Sequence, residues 1–231
     1  MFNKPYTFFL VFLLSSLTWL QCSPSDSDST SGSNAFSPEI DASDIYSHIE
    51  FLASDSLQGR ESGTEFEALA SNYIIQKFEE FGVQPKGDDS TFLQAFTINT
   101  ARLTNPHATD DAEGERRVAN NVVGWIPGRS NTNEYVVIGA HYDHLGYGSF
   151  GSLYRGDTPR IHNGADDNAS GTAGLLELAH YFSENPPINN ILLLAFSGEE
   201  MGLLGSAHYV EEPTVDLSQA KAMINLDMIG R

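Results

Sequence analysis

The pattern of apolar and polar positions divides the chain into an apolar leader, a polar stretch, and a long segment in which helical and strand periods alternate. Between residues 44 and 52, Ile45, Ile49 and Leu52 fall on one face, which predicts a short amphipathic helix. A second helix is predicted from 64 to 82. Thr64 and Glu67 have the spacing of a capping box, and Phe66, Leu69, Ala70, Tyr73, Ile74, Phe78 and Phe81 keep the helical period. Gly82 is placed to close that helix. Residues 92–98 alternate as a strand, 100–117 are polar and read as a loop, 119–126 return to strand, and Pro127-Gly128 marks a turn. Apolar runs at 134–140 and 190–196 predict buried strands. A helix from 170 to 182 lies between them, with Leu175, Leu176 and Leu178 inward. A helix from 201 to 211 and a strand from 221 to 226 follow.

Buried strands that alternate with helices predict an α/β fold. The expected form is a three-layer sandwich with a central, mostly parallel or mixed sheet and helices on both faces. Ligands in such folds bind beyond the carboxyl ends of the strands.

The leader changes the picture by assigning a compartment. Lys4 precedes Phe8-Phe-Leu-Val-Phe-Leu-Leu14, an apolar core too short for a comfortable membrane span, so residues 1–21 read as a signal peptide. Cys22, the only cysteine, follows at once. No disulfide can form within the chain, and the position resembles the acylated first residue of a bacterial lipoprotein. Residues 22–37 are rich in Ser and Asp and cannot bury enough surface to offset their ordering, so they read as a tether. Residues 38–231 are left as the folded domain. The expected location is the periplasm, outer membrane or cell surface, attached through Cys22; with ordinary cleavage the protein is secreted instead.

Charge narrows the partners. Asp and Glu number 31 against 12 Lys and Arg, which argues against nucleic acid and against docking on anionic lipid. Nothing in the sequence sets an oligomeric state.

Four polar clusters sit where apolar strands end or a helix begins. His141 and Asp143 follow the first buried strand; the pair suits a zinc ligand with a carboxylate behind it, or a surface His-Asp pair. Asp166 and Asp167 are adjacent in Gly164-Ala-Asp-Asp-Asn-Ala-Ser-Gly171. Side by side they repel unless neutralised, so Asp166 could bridge two cations, or the run could be a turn capped by Asn168 or Ser170. Glu199 and Glu200 follow Ser197-Gly198. They offer one metal ligand and one general base, or simply acidic residues in a first helical turn. Asp227 ends an apolar strand, where a lone charge needs a partner.

Taken together, these clusters resemble in order and spacing the co-catalytic di-zinc aminopeptidases of the bacterial leucyl-aminopeptidase type. That group is wider, and includes glutamate carboxypeptidase II, glutaminyl cyclase and the non-catalytic transferrin receptor. The resemblance spans residues 44–231 and takes in the run Leu57-Gln-Gly-Arg-Glu-Ser-Gly-Thr64. It implies a zinc-peptidase-like fold and two zinc ions. His141 and Asp227 would hold one ion, Asp166 would bridge both, and Glu200 would hold the second. Glu199 would be the general base for a metal-activated water, and Asp143 would orient His141. Asp167 would follow the bridging residue across a cis peptide.

The implied activity is removal of N-terminal residues from peptides. Carboxypeptidase action, glutaminyl cyclisation and a receptor-like role without catalysis are the alternatives. One departure stands out. The resemblance calls for a final histidine on the second zinc beyond residue 227, and none of the seven histidines lies there. The expectation is therefore a C-terminally truncated domain that is itself inactive.

Overall fold

The computed structural model describes residues 39–103 and 112–231. The predicted signal peptide, tether and Cys22 lie outside the described residues, as does part of the predicted polar loop. Among the described residues, no helix is long and apolar enough to cross a membrane.

The first helix, α1 (Ala42–Leu52), starts where the Asp41 side chain accepts the Ser43 N–H. α2 (Glu65–Glu80) starts at Thr64, whose hydroxyl accepts the Glu67 N–H at 3.4 Å. The return half of the expected capping box is displaced by one residue, because the Glu67 carboxylate takes the Gly63 N–H instead. Ala70, Ile74 and Phe78 are fully buried along α2, but Leu69 is 48% exposed. Leu69 adjoins the buried i, i+4, i+8 row instead of lying on it, so the inward stripe is narrower than the apolar composition suggests. Gly82, at φ +75, ends the helix as expected.

A mixed sheet follows. The two-residue β1 (Gln84–Pro85) and the longer β2 (Leu93–Asn99) both pair antiparallel with β3 (Arg116–Ile126). β3 is antiparallel to β5 (Asn190–Phe196), β5 is parallel to β4 (Tyr135–His141), and β4 is parallel to β6 (Ala220–Asn225). β5 is buried along its whole length and supplies both core layers. Ile191, Leu193 and Ala195 join the cluster under α1, α2 and α3 (Gly171–Glu184), whereas Leu192, Leu194 and Phe196 face Tyr209 of α4 (Leu204–Glu211). Period-two alternation thus gives a three-layer α/β sandwich, as the sequence predicts. β6 is different: it lies at the sheet edge, and Met223 and Ile224 are about half exposed.

The topology positions the site. β4, β5 and β6 run parallel, so the residues that follow them emerge at one end of the sheet. In the β4–β5 register His141 stands opposite Phe196, and in the β4–β6 register Gly139 stands opposite Asn225. The chain after His141, after Phe196 and after Asn225 therefore converges there, joined by the irregular turn Ala165–Ser170 that opens α3.

Candidate metal centre

Two groups of three potential ligands form at this end. His141, Asp167 and Asp227 make one; His144, Asp167 and Glu200 make the other. In each, the ligand atoms lie within 4.8 Å of one another. Asp167 is common to both.

His141 is the buried anchor at 3% exposure. Its Nε2 lies 3.2 Å from Asp167, 3.6 Å from Asp227 and 3.9 Å from Glu199. Its Nδ1 lies 3.2 Å from the Asp143 carbonyl and 3.6 Å from the Asp143 carboxylate. Burial alone would pull the imidazole pKa down, but bonds to Asp143 and Asp167, with the charges of Asp143 and Glu199, outweigh it and push the value up to about 11. A cation entering here must displace that proton. The same pairing with His141 holds the Asp167 carboxyl below its ordinary value against the opposing effect of burial.

Asp143 is fully buried and ties the site together from behind. Its carboxylate accepts the Ser62 hydroxyl at 2.8 Å and the backbone N–H groups of Glu199 and Glu200 at 3.2 and 3.4 Å. It therefore orients the Glu-Glu loop as much as it orients His141. Glu199 belongs to neither group of three, yet it is one-third exposed and faces the same space. Burial lifts its carboxyl pKa; the His141 charge opposes this, and Asp143, Glu200 and Asp227 add to it.

One sequence expectation is overturned. Asp166 is not at the shared position. Its carboxylate is turned to Arg231 Nε at 2.6 Å and the Gly230 N–H at 2.9 Å, and its carbonyl accepts the Ser170 hydroxyl. Asp167 occupies the shared position instead. The cis peptide lies between Asp167 and Asn168, one residue later than expected. The reason lies in the next side chain. Asn168, fully buried, donates to the carbonyls of His141 and Leu226 at 3.1 and 2.9 Å, and its oxygen accepts the N–H groups of Gly171 and Met228. It clamps the exits of β4 and β6 to the start of α3, and the carboxylate beside the clamp is the one aimed at His141. Sequence adjacency cannot say which of two neighbouring Asp side chains faces inward; the backbone of the turn decides.

Sequence reasoning also passed over residues in the run 57–64. Arg60, fully buried, donates to the carbonyls of Leu52, Tyr142, Asn163 and Gly164, which belong to three separate segments. Burial lowers its pKa to about 10, while the charges of Asp143, Asp167 and Glu200 favour the cation. It is a fixed positive charge behind an acidic mouth. Ser62 donates to Asp143 and accepts the Gly198 N–H. Gly59 lets this run lie against the loop after His144. It sits at φ +76, and a Cβ there would come within 2.6 Å of the Gly146 and His162 carbonyl oxygens. The legible signal was the pairing of Gly and Arg in a segment with no apolar period.

A cavity of about 320 Å³ opens beside the acids. Phe196, Leu203 and Met223 line it together with His141, Glu199 and Asp227. The residues at the site fit zinc. Imidazole nitrogen and carboxylate oxygen are its usual donors. Two buried donor atoms, His144 Nδ1 and Glu200 Oε1, have no hydrogen-bond partner.

Comparison with known proteins agrees with this geometry. Residues 121–231 match Peptidase family M28. A "Probable zinc metalloprotease" of Pyrenophora tritici-repentis (strain Pt-1C-BFP) is 38% identical over 109 residues, which is 47% of this chain and 24% of that protein. "Aminopeptidase YwaD" of Bacillus subtilis (strain 168) is 36% identical over 98 residues, 42% of this chain and 18% of that one. This chain therefore spans well under half the length of the curated relatives it matches. Among solved structures, a leucine aminopeptidase precursor from Bacteroides thetaiotaomicron VPI-5482 shares the fold with a TM-score of 0.60. The two are 23% identical, and the match covers 84% of this chain and 64% of that one. The strand ends that carry His141, Glu199, Glu200 and Asp227 all fall inside the segment, residues 121–231, that matches Peptidase family M28.

Proposed function

We propose that the protein is an exported zinc-dependent aminopeptidase. The carrying observation is that Asp167 is shared by two groups of ligand atoms at the common end of three parallel strands. His141 and Asp227 would hold one zinc, Glu200 the second, and Asp167 both. Zinc bound in such a set supplies Lewis acidity and makes water a nucleophile near neutral pH.

The remaining roles follow from the chain itself. Glu199, which neither group uses, takes a proton from the attacking water and returns it to the leaving amine; its raised pKa suits both transfers. Asp143 and Asn168 hold the loops that carry these groups in register. The acidic mouth attracts a substrate's free α-amine, which favours exopeptidase action. The apolar side of the cavity, with Phe196, Leu203 and Met223, suits an aliphatic first residue.

Solved glutaminyl cyclases carry the same fold, so fold alone does not choose between hydrolysis and cyclisation. Zinc analysis together with assays of leucine-p-nitroanilide hydrolysis, glutaminyl cyclisation and carboxypeptidase action on the purified full-length protein tests the reading. Bound zinc with release of the N-terminal leucine is expected. Zinc-dependent cyclisation without hydrolysis would replace the reading by a cyclase.

Export as a lipoprotein rests on the sequence of residues 1–37, and the folded domain on residues 38–231. Palmitate labelling that is lost in Cys22→Ser is the expected result. Unchanged membrane fractionation of that variant would remove the anchor.

A further inference from the structure

We propose that Ser62 is a positioning residue for Glu199, the proton-transferring carboxylate of the reading above. This deepens that reading and rests on it. Ser62 belongs to the irregular run that precedes α2, yet it reaches the loop that carries Glu199 and Glu200, 136 residues further along the chain.

Three consecutive N–H groups of that loop fall on the same two side chains. The Gly198 N–H donates to Ser62 Oγ at 3.0 Å, the Glu199 N–H to Asp143 Oδ1 at 3.2 Å, and the Glu200 N–H to Asp143 Oδ2 at 3.4 Å. The Ser62 hydroxyl donates in turn to Asp143 Oδ2 at 2.8 Å. A carboxylate held at one oxygen is not free to turn about its own bond. Oδ1 is thereby kept facing the Glu199 N–H and, at 3.6 Å, His141 Nδ1. Ser62 therefore fixes the first amide of the loop directly, and the next two through Asp143.

The loop depends on this support. Gly198 sits at φ +68, and a glycine backbone does not hold one conformation by itself. The Glu199 carboxylate is one-third exposed and lies 3.9 Å from His141 Nε2, too far for a hydrogen bond, so the backbone beneath it sets its place. Ser62, by contrast, is pinned on both sides. Arg60 bonds four carbonyls, Glu61 pairs with Arg117 at 2.8 Å, and the Gly63 N–H donates to Glu67 at 2.7 Å. Ser62 is 1% exposed and its single proton is committed to Asp143, so it acts through Glu199 and does not touch substrate.

The first test needs no activity. Amide hydrogen exchange is compared between wild type and Ser62→Ala in the metal-free full-length protein. The Gly198, Glu199 and Glu200 amides should exchange about 10-fold faster or more, while those of β4 and β5 keep wild-type rates. The second test is kinetic, on the zinc-loaded full-length protein with leucine-p-nitroanilide. Ser62→Ala should lower kcat by about 10–100-fold with KM and zinc content unchanged, since a displacement of about 1 Å at the reacting groups costs that much. Ser62→Thr, which restores the hydroxyl, should recover most of the loss. In a Glu199→Gln background Ser62→Ala should leave kcat nearly unchanged, because the group it positions is gone. Should Ser62→Ala not fold, Ser62→Cys, close in size and a weaker donor, takes its place under the same criteria. The proposal is overturned if the three amides exchange at wild-type rates, if kcat stays near wild type, or if the loss is equal with and without the Glu199 carboxylate. The aminopeptidase reading survives each of these results. Absence of hydrolysis by the zinc-loaded wild type would instead remove that reading and the proposal with it.

Discussion

The back of the site and its mouth are both built from polar and charged residues and behave differently. At the back, Arg60, Ser62, Asp143 and Asn168 are essentially without solvent exposure, and each engages main-chain groups of distant segments. At the mouth, the side chains of Asp167, Asp227 and Glu199 are 38%, 43% and 33% exposed. They converge on a single imidazole and, in Glu199, on each other's charge. Charge at the back is satisfied by hydrogen bonds and holds three segments together. Charge at the mouth is held in place with coordination capacity to spare, which a cation can use. Polar burial in this protein therefore serves stability in one layer and chemistry in the next, a few ångströms away.

Substitutions can break that division, beginning with the largest effect. Glu199→Gln should lower leucine-p-nitroanilide turnover by about 10²–10⁴-fold, with zinc content unchanged, because only the proton-transfer group is lost. Zinc lost in proportion to activity would move Glu199 from base to ligand. The adjacent aspartates sharpen the contrast next. Asp167→Asn should weaken zinc binding by more than about 100-fold, whereas Asp166→Asn should change it little. The reverse order in a zinc titration would restore the assignment made from sequence.

At the back, Arg60→Met should destabilise the fold by about 3 kcal/mol or more, since four carbonyls lose their donor and buried acids lose their counter-charge. Urea unfolding checks this, and an unchanged midpoint would mean that the back is not structural. Chelation acts only at the mouth. Removing zinc from a chain held at about 100 times its dissociation constant should cost about 2.7 kcal/mol, or roughly 5–10 °C in thermal midpoint.

The smallest effect concerns Glu67, buried under Tyr142. Burial raises its pKa above the ordinary 4.5, and bonds from Ser197, Tyr142 and Gly63 oppose that rise. The folded state thus holds the proton to higher pH than the unfolded state, so stability is present below the ordinary value and is lost as pH climbs through the raised one. Glu67→Gln, neutral throughout, should lose less stability than wild type as pH rises above the ordinary carboxyl value of 4.5. Parallel pH profiles in denaturant titrations would show that Glu67 is ionised in the fold.

Much of the architecture was legible in the chain. The strand at 190–196, the helix ended by Gly82 and the strand leading to His141 all follow from periodicity and turn residues, because burial on one or two faces imposes those periods locally. That His141, Glu199, Glu200 and Asp227 belong together was legible too: each follows an apolar run, and parallel strands deliver their ends to one side. Asn168 and His144 were not legible, and Arg60 was marked only by its pairing with Gly59, not by its role. Their partners are backbone carbonyls or side chains from segments tens to more than a hundred residues away, and such pairings leave no periodic trace.

The sequence by itself determined the elements, the layer order and the chemical character of the site, since each depends on local periods and on which residue types stand at strand ends. Only the tertiary structure decided that Asp167 and not Asp166 faces His141, that His144 stands beside Glu200, and that a buried arginine backs the acids. Those outcomes depend on the path of one irregular turn and on contacts between remote segments. A shift of one residue there reverses which side chain points inward while leaving composition and spacing almost unchanged.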